Sequence, residues 1–219
     1  MILYIFISCK PLIGKYYQRM VNMMEKLGNK HFIVVVGGFK HTEFNEKYRV
    51  LKLNCNDYYE GLPEKVIKTY DFISQNKRFD MYTHFCKLDD DMVIKHLIPL
   101  NKNLTDYCGE VRYTEGDRRY HVGRCTKHSK FNTTEYLGEY VPWCLGGSGY
   151  LLSKKSLNIL SDDKNYYDEI YEDLYVAKLL ESEDIYPRIY PNLSAFVSPL
   201  PHSYPSIFGY PRCNNSSYS

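Results

Sequence analysis

The order of apolar runs constrains this chain more than any other feature. "ILYIFIS" near the N-terminus is unbroken by polar residues until its last position. A strand covered on both faces needs such a run, whereas a half-exposed strand alternates. "KYYQRMVNMMEKLG" follows, with Tyr16, Tyr17, Met20, Met24 and Leu27 on one helical face and Gly28 as the stop. "HFIVVVGG" repeats the buried-strand pattern and closes on Gly37 and Gly38, and "RVLKLN" is a shorter third strand. "LPEKVIKTYDFIS" reads as a helix, with Pro63 in its first turn and Val66, Ile67, Tyr70 and Ile73 apolar. "MYTHFCKL" is a fourth strand. This β-α-β alternation predicts an α/β domain, a largely parallel sheet with helices on both faces. In sheets of that kind ligands bind beyond the carboxyl ends of the strands.

Three aspartates, Asp89, Asp90 and Asp91 in "CKLDDDMVIK", stand directly after the fourth strand. Adjacent carboxylates repel one another, so their placement at a ligand edge asks for a cause. A hard cation is one: Mg²⁺ and Mn²⁺ take oxygen ligands and bridge carboxylates to substrate phosphates. Alternate residues of an extended segment point the same way, so Asp89 and Asp91 face one ligand while Asp90 faces elsewhere. A solvated acidic turn is the plain alternative, and the triplet by itself does not choose.

Beyond it, residues 101 to 140 are polar and rich in Arg, Lys, Tyr and Gly, which predicts a long loop or small hairpins. "VPWCLGGSGYLLSKKSLNIL" then brings Gly146, Gly147 and Gly149 close together, where a backbone can come near another group. Ser153 is placed to cap the helix that follows. Trp143, the single tryptophan, is either a core anchor or a platform for a sugar ring. In "YYDEIYEDLYVAKLLESE" the second half is amphipathic, and Glu172 and Asp173 fall in its first turn. Acids there suit the helix dipole; a catalytic base beside a cleft is the other reading.

Composition limits the partners. With 219 residues the chain forms one domain, and its net charge of +2 supplies no basic field for nucleic acid. The seven cysteines are odd in number and form no CxxC pair, which argues against a zinc ribbon and a complete disulfide framework. The apolar "MILYIFISCK" lacks a basic leader and is too short to span a membrane, so it reads as a buried strand and the protein as cytoplasmic, in a host's cytoplasm if its source is a virus. The 23 tyrosines offer flat faces with a hydroxyl, suited to sugar or base contact, or reflect coding bias.

Taken together, the motifs resemble the inverting β-1,3-galactosyltransferase and N-acetylglucosaminyltransferase family that includes the Fringe proteins (glycosyltransferase family 31). "DYYEGLPEKVIKTYDF" is similar to the family's D-x-Y-x-N-L-T-x-K block, "CKLDDDMVI" to K-x-D-D-D-V-F, and "HSKFNTTEY" to S-K-W-Y-V-S…Y. "VPWCLGGSGYLLS" is similar to Y-P-P-Y-C-x-G-G-G-Y-V-L-S, and "YEDLYVAKLL" to E-D-V-Y-V-G. The blocks occur in order between about Met1 and Ser198. Gly61 and Pro63 stand where the family has Asn and Thr, Phe131 where it has Trp, and Ala177 where it has Gly. The family's N-terminal membrane anchor has no counterpart.

The resemblance implies a GT-A type, Rossmann-like mixed sheet with flanking helices. Residues 1–100 would form the nucleotide-sugar half and 101–219 the acceptor half. It implies a UDP-sugar donor, a glycan or glycoconjugate acceptor, and Mn²⁺ or Mg²⁺. Asp91 would be the principal metal ligand with Asp89, and His202 in "PLPHSYPS" a further one. Asp89 and Asp90 would help hold the ribose, and Lys65 would reach the nucleotide unless it is an exposed helix lysine. Asp173 would be the base, with Glu172 its competitor, and Trp143, Gly147 and Tyr150 would meet the acceptor. Three other readings stay open. A glycoside hydrolase would use Asp91 and Asp173 as its acid pair. A binding module would take nucleotide-sugar or glycan without turnover. A nucleotidyltransferase would release pyrophosphate.

Overall fold

The computed structural model describes residues 1–200. The chain runs β1 (Ile2–Ser8), α1 (Lys10–Lys26), β2 (Phe32–Val36), β3 (Glu43–Asn45), β4 (Val50–Lys52), α2 (Leu62–Gln75), β5 (His84–Asp89), β6 (Met92–Ile94), β7 (Tyr107–Gly109), β8 (Val111–Arg112), β9 (Trp143–Cys144), β10 (Tyr150–Ser153), α3 (Lys154–Ser161), α4 (Glu172–Glu181), β11 (Arg188–Ile189), α5 (Leu193–Phe196) and β12 (Val197–Pro199). Eight strands form one mixed sheet in the order β11-β7-β10-β5-β1-β2-β4-β3. Strands β5, β1, β2 and β4 are parallel, as the apolar runs predict. Strand β10 is antiparallel to both β5 and β7, and β3 is antiparallel to β4, so the sheet is mixed rather than uniformly parallel.

All seven residues of β1 are buried, and their alternation divides the core. Leu3, Ile5 and Ile7 pack on the side of α2, α3 and α4, while Ile2, Tyr4 and Phe6 pack on the side of α1. Burying each such side chain contributes roughly 1.5–3 kcal/mol, so this central strand anchors both layers. Helix α1 starts at Lys10, five residues before the start suggested by periodicity, with Pro11 in its first turn. Proline fits there because its missing N–H has no helical partner to lose. The Ser153 hydroxyl caps α3 by accepting from the Ser156 N–H. Residues 101 to 140 contain only β7, β8 and one short 3₁₀ turn among their elements, and are otherwise loop. Among the described residues no helix is long and apolar enough to cross a membrane.

Two consequences of this topology position the site. Strand β1 continues to β2 on one side and pairs with β5 on the other, so the strand order reverses between β1 and β5. A crevice opens beyond the strand ends at such a reversal. The end of β5 pairs with the end of β1 through Ile7 and Asp89. Strand β10, entering antiparallel, sets Tyr150 opposite Lys87 and so delivers the glycine-rich segment to the same edge.

Candidate functional site

The acidic triplet turns the corner from β5 into β6. The backbone N–H of Asp90 donates to the Ile7 carbonyl at 3.1 Å, which carries the ladder one residue past the strand. Asp90 is buried, and its Oδ2 accepts from the Ser8 hydroxyl at 2.6 Å. Asp89 and Asp91 are half-buried beside it. From α1, Arg19 clamps the turn from outside: it donates to the Met92 carbonyl at 2.9 Å and to the Asp90 carbonyl. Sequence reasoning missed Arg19, because nothing local links it to residues 71 and 73 positions away.

Lys87 is the second residue that the motifs did not single out, although it opens the K-x-D-D-D block. Its side chain is 1% exposed. Its ammonium sits 2.8 Å from Asp89 Oδ1, 3.1 Å from Glu172 Oε2 and 3.4 Å from the Gly146 carbonyl. Burial pushes this ammonium toward the neutral form, but Asp89 and Glu172 outweigh burial and hold it above the ordinary lysine range. Glu172 in turn accepts from the Tyr150 hydroxyl, which lies 2.8 Å from the Tyr70 hydroxyl. A buried polar chain thus runs from the core through Tyr70, Tyr150, Glu172 and Lys87 to Asp89.

Asp173 begins where that chain ends. Its Oδ2 accepts from the Gly146 N–H and its Oδ1 from the Leu174 N–H, each at 2.9 Å. A Cβ at Gly146 would lie 3.1 Å from both Asp173 Cβ and Glu172 Oε2, so any larger residue there would crowd the two acids. Gly149 has φ +81 and ψ 153, a conformation open essentially to glycine alone. Burial raises the Asp173 carboxyl above the usual range; the Gly146 N–H, Lys87 and the Leu174 N–H oppose that rise.

Asp89, Asp91, Glu172 and Asp173 all line one cavity of about 630 Å³. Gly147 lines it with open space around its Cα, and Trp143 forms part of its wall. Trp143 is only 5% exposed, with its ring centroid 5.5 Å from that of Tyr140, so it is chiefly a core anchor with an edge in the cavity. Three expectations change. Tyr150, expected at the acceptor, is fully buried, and its hydroxyl is bonded to Glu172 and Tyr70. Lys65 is not an exposed helix lysine. It is fully buried, 2.7 Å from Asp57 and donating to the Ser8 carbonyl at 2.9 Å, so it braces the end of β1. Glu172, the competing base, is 4% exposed and held by Lys87 and Tyr150, which leaves Asp173 as the acid of the pair with its carboxylate on the glycine segment. His202 lies outside the described residues.

The donor chemistry here suits a hard divalent cation. Asp89 and Asp91 offer carboxylate oxygens in one cavity. Burial, then the Asp89 charge, raises the Asp91 carboxyl against the opposing charges of Arg19 and Lys87. Among the described residues no group of three or more His, Cys, Asp or Glu forms a complete metal cage. Mg²⁺ and Mn²⁺ are commonly held in that way, by one or two carboxylates with substrate oxygens and water completing the shell.

Asp90 gives the site a measurable pH signature. Burial raises its carboxyl from 3.8 to about 7, against the opposing Ser8 hydrogen bond. The native state therefore keeps a proton that the unfolded chain has lost across this window, and stability falls as pH rises through it. The contribution is complete below 3.8 and gone above about 7. In metal-free protein Asp90→Asn should flatten the stability curve between those values, measured by urea denaturation at stepped pH. An unchanged slope would show that Asp90 titrates as an ordinary carboxylate.

No family model and no curated protein matches the chain. Solved structures similar to it include A197 from STIV, with 12% identity, a TM-score of 0.46, and coverage of 86% of this chain and 80% of that one. Another is a protein from Bacillus anthracis assigned as a glucose-1-phosphate thymidylyltransferase and solved with sucrose, with 9% identity, a TM-score of 0.44, and coverage of 86% and 87%.

Proposed function

We propose that the protein is a metal-dependent inverting glycosyltransferase of β-1,3-galactosyltransferase type, moving a hexose from a UDP-sugar to a hydroxyl of a glycan or glycoconjugate. One observation carries the reading. The strand-end pair Asp89 and Asp91 and the helix-start acid Asp173 line a single cavity, joined through Lys87 and Gly146. The sequence motifs supply the reaction class: the five blocks that resemble the family include the triplet, the glycine segment and the acid pair.

In this reading residues 1–100 build the donor side and the later residues the acceptor side of a GT-A domain. Asp91 and Asp89 would hold the cation, with His202 as the third protein ligand, and Asp90 braces the turn against Ser8. The cation, when bound, supplies Lewis-acid neutralisation of the leaving diphosphate. Asp173 takes the proton of the acceptor hydroxyl. Its raised pKa, a consequence of burial, makes it a stronger base than a surface aspartate. The acceptor oxygen bonds to the anomeric carbon as the bond to the nucleotide breaks on the opposite face, so configuration inverts.

Removing the principal metal ligand tests this. Asp91→Ala should abolish Mn²⁺-dependent UDP binding in calorimetry while the thermal transition persists, because Asp91 is half-buried and contributes no core packing. Unchanged Mn²⁺-dependent affinity would reject the assignment. Product analysis of the unaltered protein separates the neighbouring chemistries: a glycosyltransferase releases UDP, and a nucleotidyltransferase releases pyrophosphate.

A further inference from the structure

The cavity wall carries two arginines that neither the triplet nor Asp173 engages. Arg112 is exposed on β8 and Arg124 is half-buried in the loop that follows; both line the cavity. Each lies over aromatic rings. The Arg112 guanidinium carbon is 5.6 Å from the Trp143 ring centroid. That of Arg124 is 3.7 Å from Tyr120 and 6.0 Å from Tyr59. Stacking holds a guanidinium plane still while its N–H edge stays open to a planar oxyanion. Among the described residues neither side chain has an ion-pair partner, although Asp117 lines the same cavity. Arg118, from the same loop, shows the structural use of this residue type: it is bound to Glu115 at 3.1 Å and to the carbonyls of Tyr136 and Gly138.

Their placement is on the side of Asp173. Strand β8 pairs Arg112 with Trp143, three residues before Gly146, whose N–H binds Asp173. Tyr59, beneath Arg124, feels the charges of both Arg124 and Asp173. The cations that act on Asp91 are instead Arg19 and Lys87. The two guanidiniums therefore line the cavity that Asp173 lines, and neither is among the cations that act on the Asp91 carboxyl.

We infer that the acceptor is a saccharide bearing an oxyanion, a hexuronate carboxylate or a phosphate, gripped by Arg112 and Arg124 beside Asp173. This rests on the glycosyltransferase reading above and narrows it to acidic acceptors. Charge-assisted bidentate contact also explains why arginine rather than lysine stands at both positions.

The test is calorimetric binding of methyl glucuronide, glucose 6-phosphate and neutral methyl glucoside to the full chain with Mn²⁺ and UDP. The unaltered protein should bind at least one anionic probe about tenfold more tightly than the neutral one, the order expected of charge-assisted hydrogen bonds. The preferred probe tells carboxylate from phosphate. Arg112→Gln with Arg124→Gln should erase that preference and leave Mn²⁺–UDP affinity and the thermal transition in place. Equal or absent binding of all three probes would overturn the inference, as would a preference that survives the double substitution. Loss of UDP affinity in the double variant would overturn it too, by assigning the arginines to the donor diphosphate. Failure of the parent reading looks different: the unaltered protein would show no Mn²⁺-dependent UDP binding, whatever its preference among the saccharides.

Discussion

Asp173→Asn should lower turnover by about 10² to 10⁴-fold, the usual cost of losing a general base, while Mn²⁺–UDP affinity stays within a small factor of the original. The substitution keeps the shape and removes the proton acceptor. It has a structural side that can be anticipated. Asp173 accepts with both oxygens, from Gly146 and Leu174, and an amide can accept with only one. One backbone N–H loses its partner, at a cost of about 1–3 kcal/mol, so turnover must be compared at a temperature where both proteins are folded. Glu172→Gln is the control. Its carboxylate is held by Lys87 and Tyr150, so its loss should appear first as lowered stability rather than as a missing base. Near-normal turnover in Asp173→Asn would sink the base assignment. Lost UDP affinity in that variant would place Asp173 in the donor site.

The second large effect concerns Lys87. Lys87→Met should destabilise the fold by roughly 3–5 kcal/mol, the cost of leaving a buried charge without its partner. Methionine matches the length of the lysine stem, so little of the loss comes from packing. The uncompensated group is Glu172, whose carboxyl burial already pushes upward against the opposing Lys87 charge. Without Lys87 that carboxyl should take up a proton, and the variant should lose stability as pH rises through the shifted value, because the native state then binds more protons than the unfolded chain. The double variant Lys87→Met with Glu172→Gln should recover much of the loss, since neither buried charge remains. Denaturant unfolding of the four proteins gives the coupling directly. Additive losses would mean that the two side chains do not act as a pair. Asp89 also loses its cation in Lys87→Met, and Mn²⁺ affinity measured on the folded fraction would report that separately.

The layered α/β fold was legible because its signals are local. Unbroken apolar runs marked β1 and β2, a mixed stretch ending at Leu88 marked β5, and helical spacing marked α1 and α2; these patterns follow from the periods of strand and helix themselves. The edge where a ligand would lie was legible for the same reason: the triplet follows the last apolar residue of a strand. Asp173 could be named only by resemblance, and its separation from Glu172 was beyond sequence, because adjacent residues in one helical turn share every local signal. The environments of the two acids differ through the antiparallel insertion of β10, which brings Gly146 to Lys87 across 59 positions and to Asp173 across 27. The same insertion buries Tyr150 against Tyr70, 80 positions away, in a hydrogen bond of the core that no local signal announces. Lys65 likewise could be read as a nucleotide contact or a surface lysine on an amphipathic helix; the fold sets it against Asp57 and the end of β1. Sequence alone determined the main strands and helices of the first half, their alternation and the acids available, since apolar periodicity and residue chemistry are properties of the chain itself. Tertiary structure alone decided which charges are neutralised in the interior and which face the cavity, because pairing and desolvation depend on neighbours that only folding brings together.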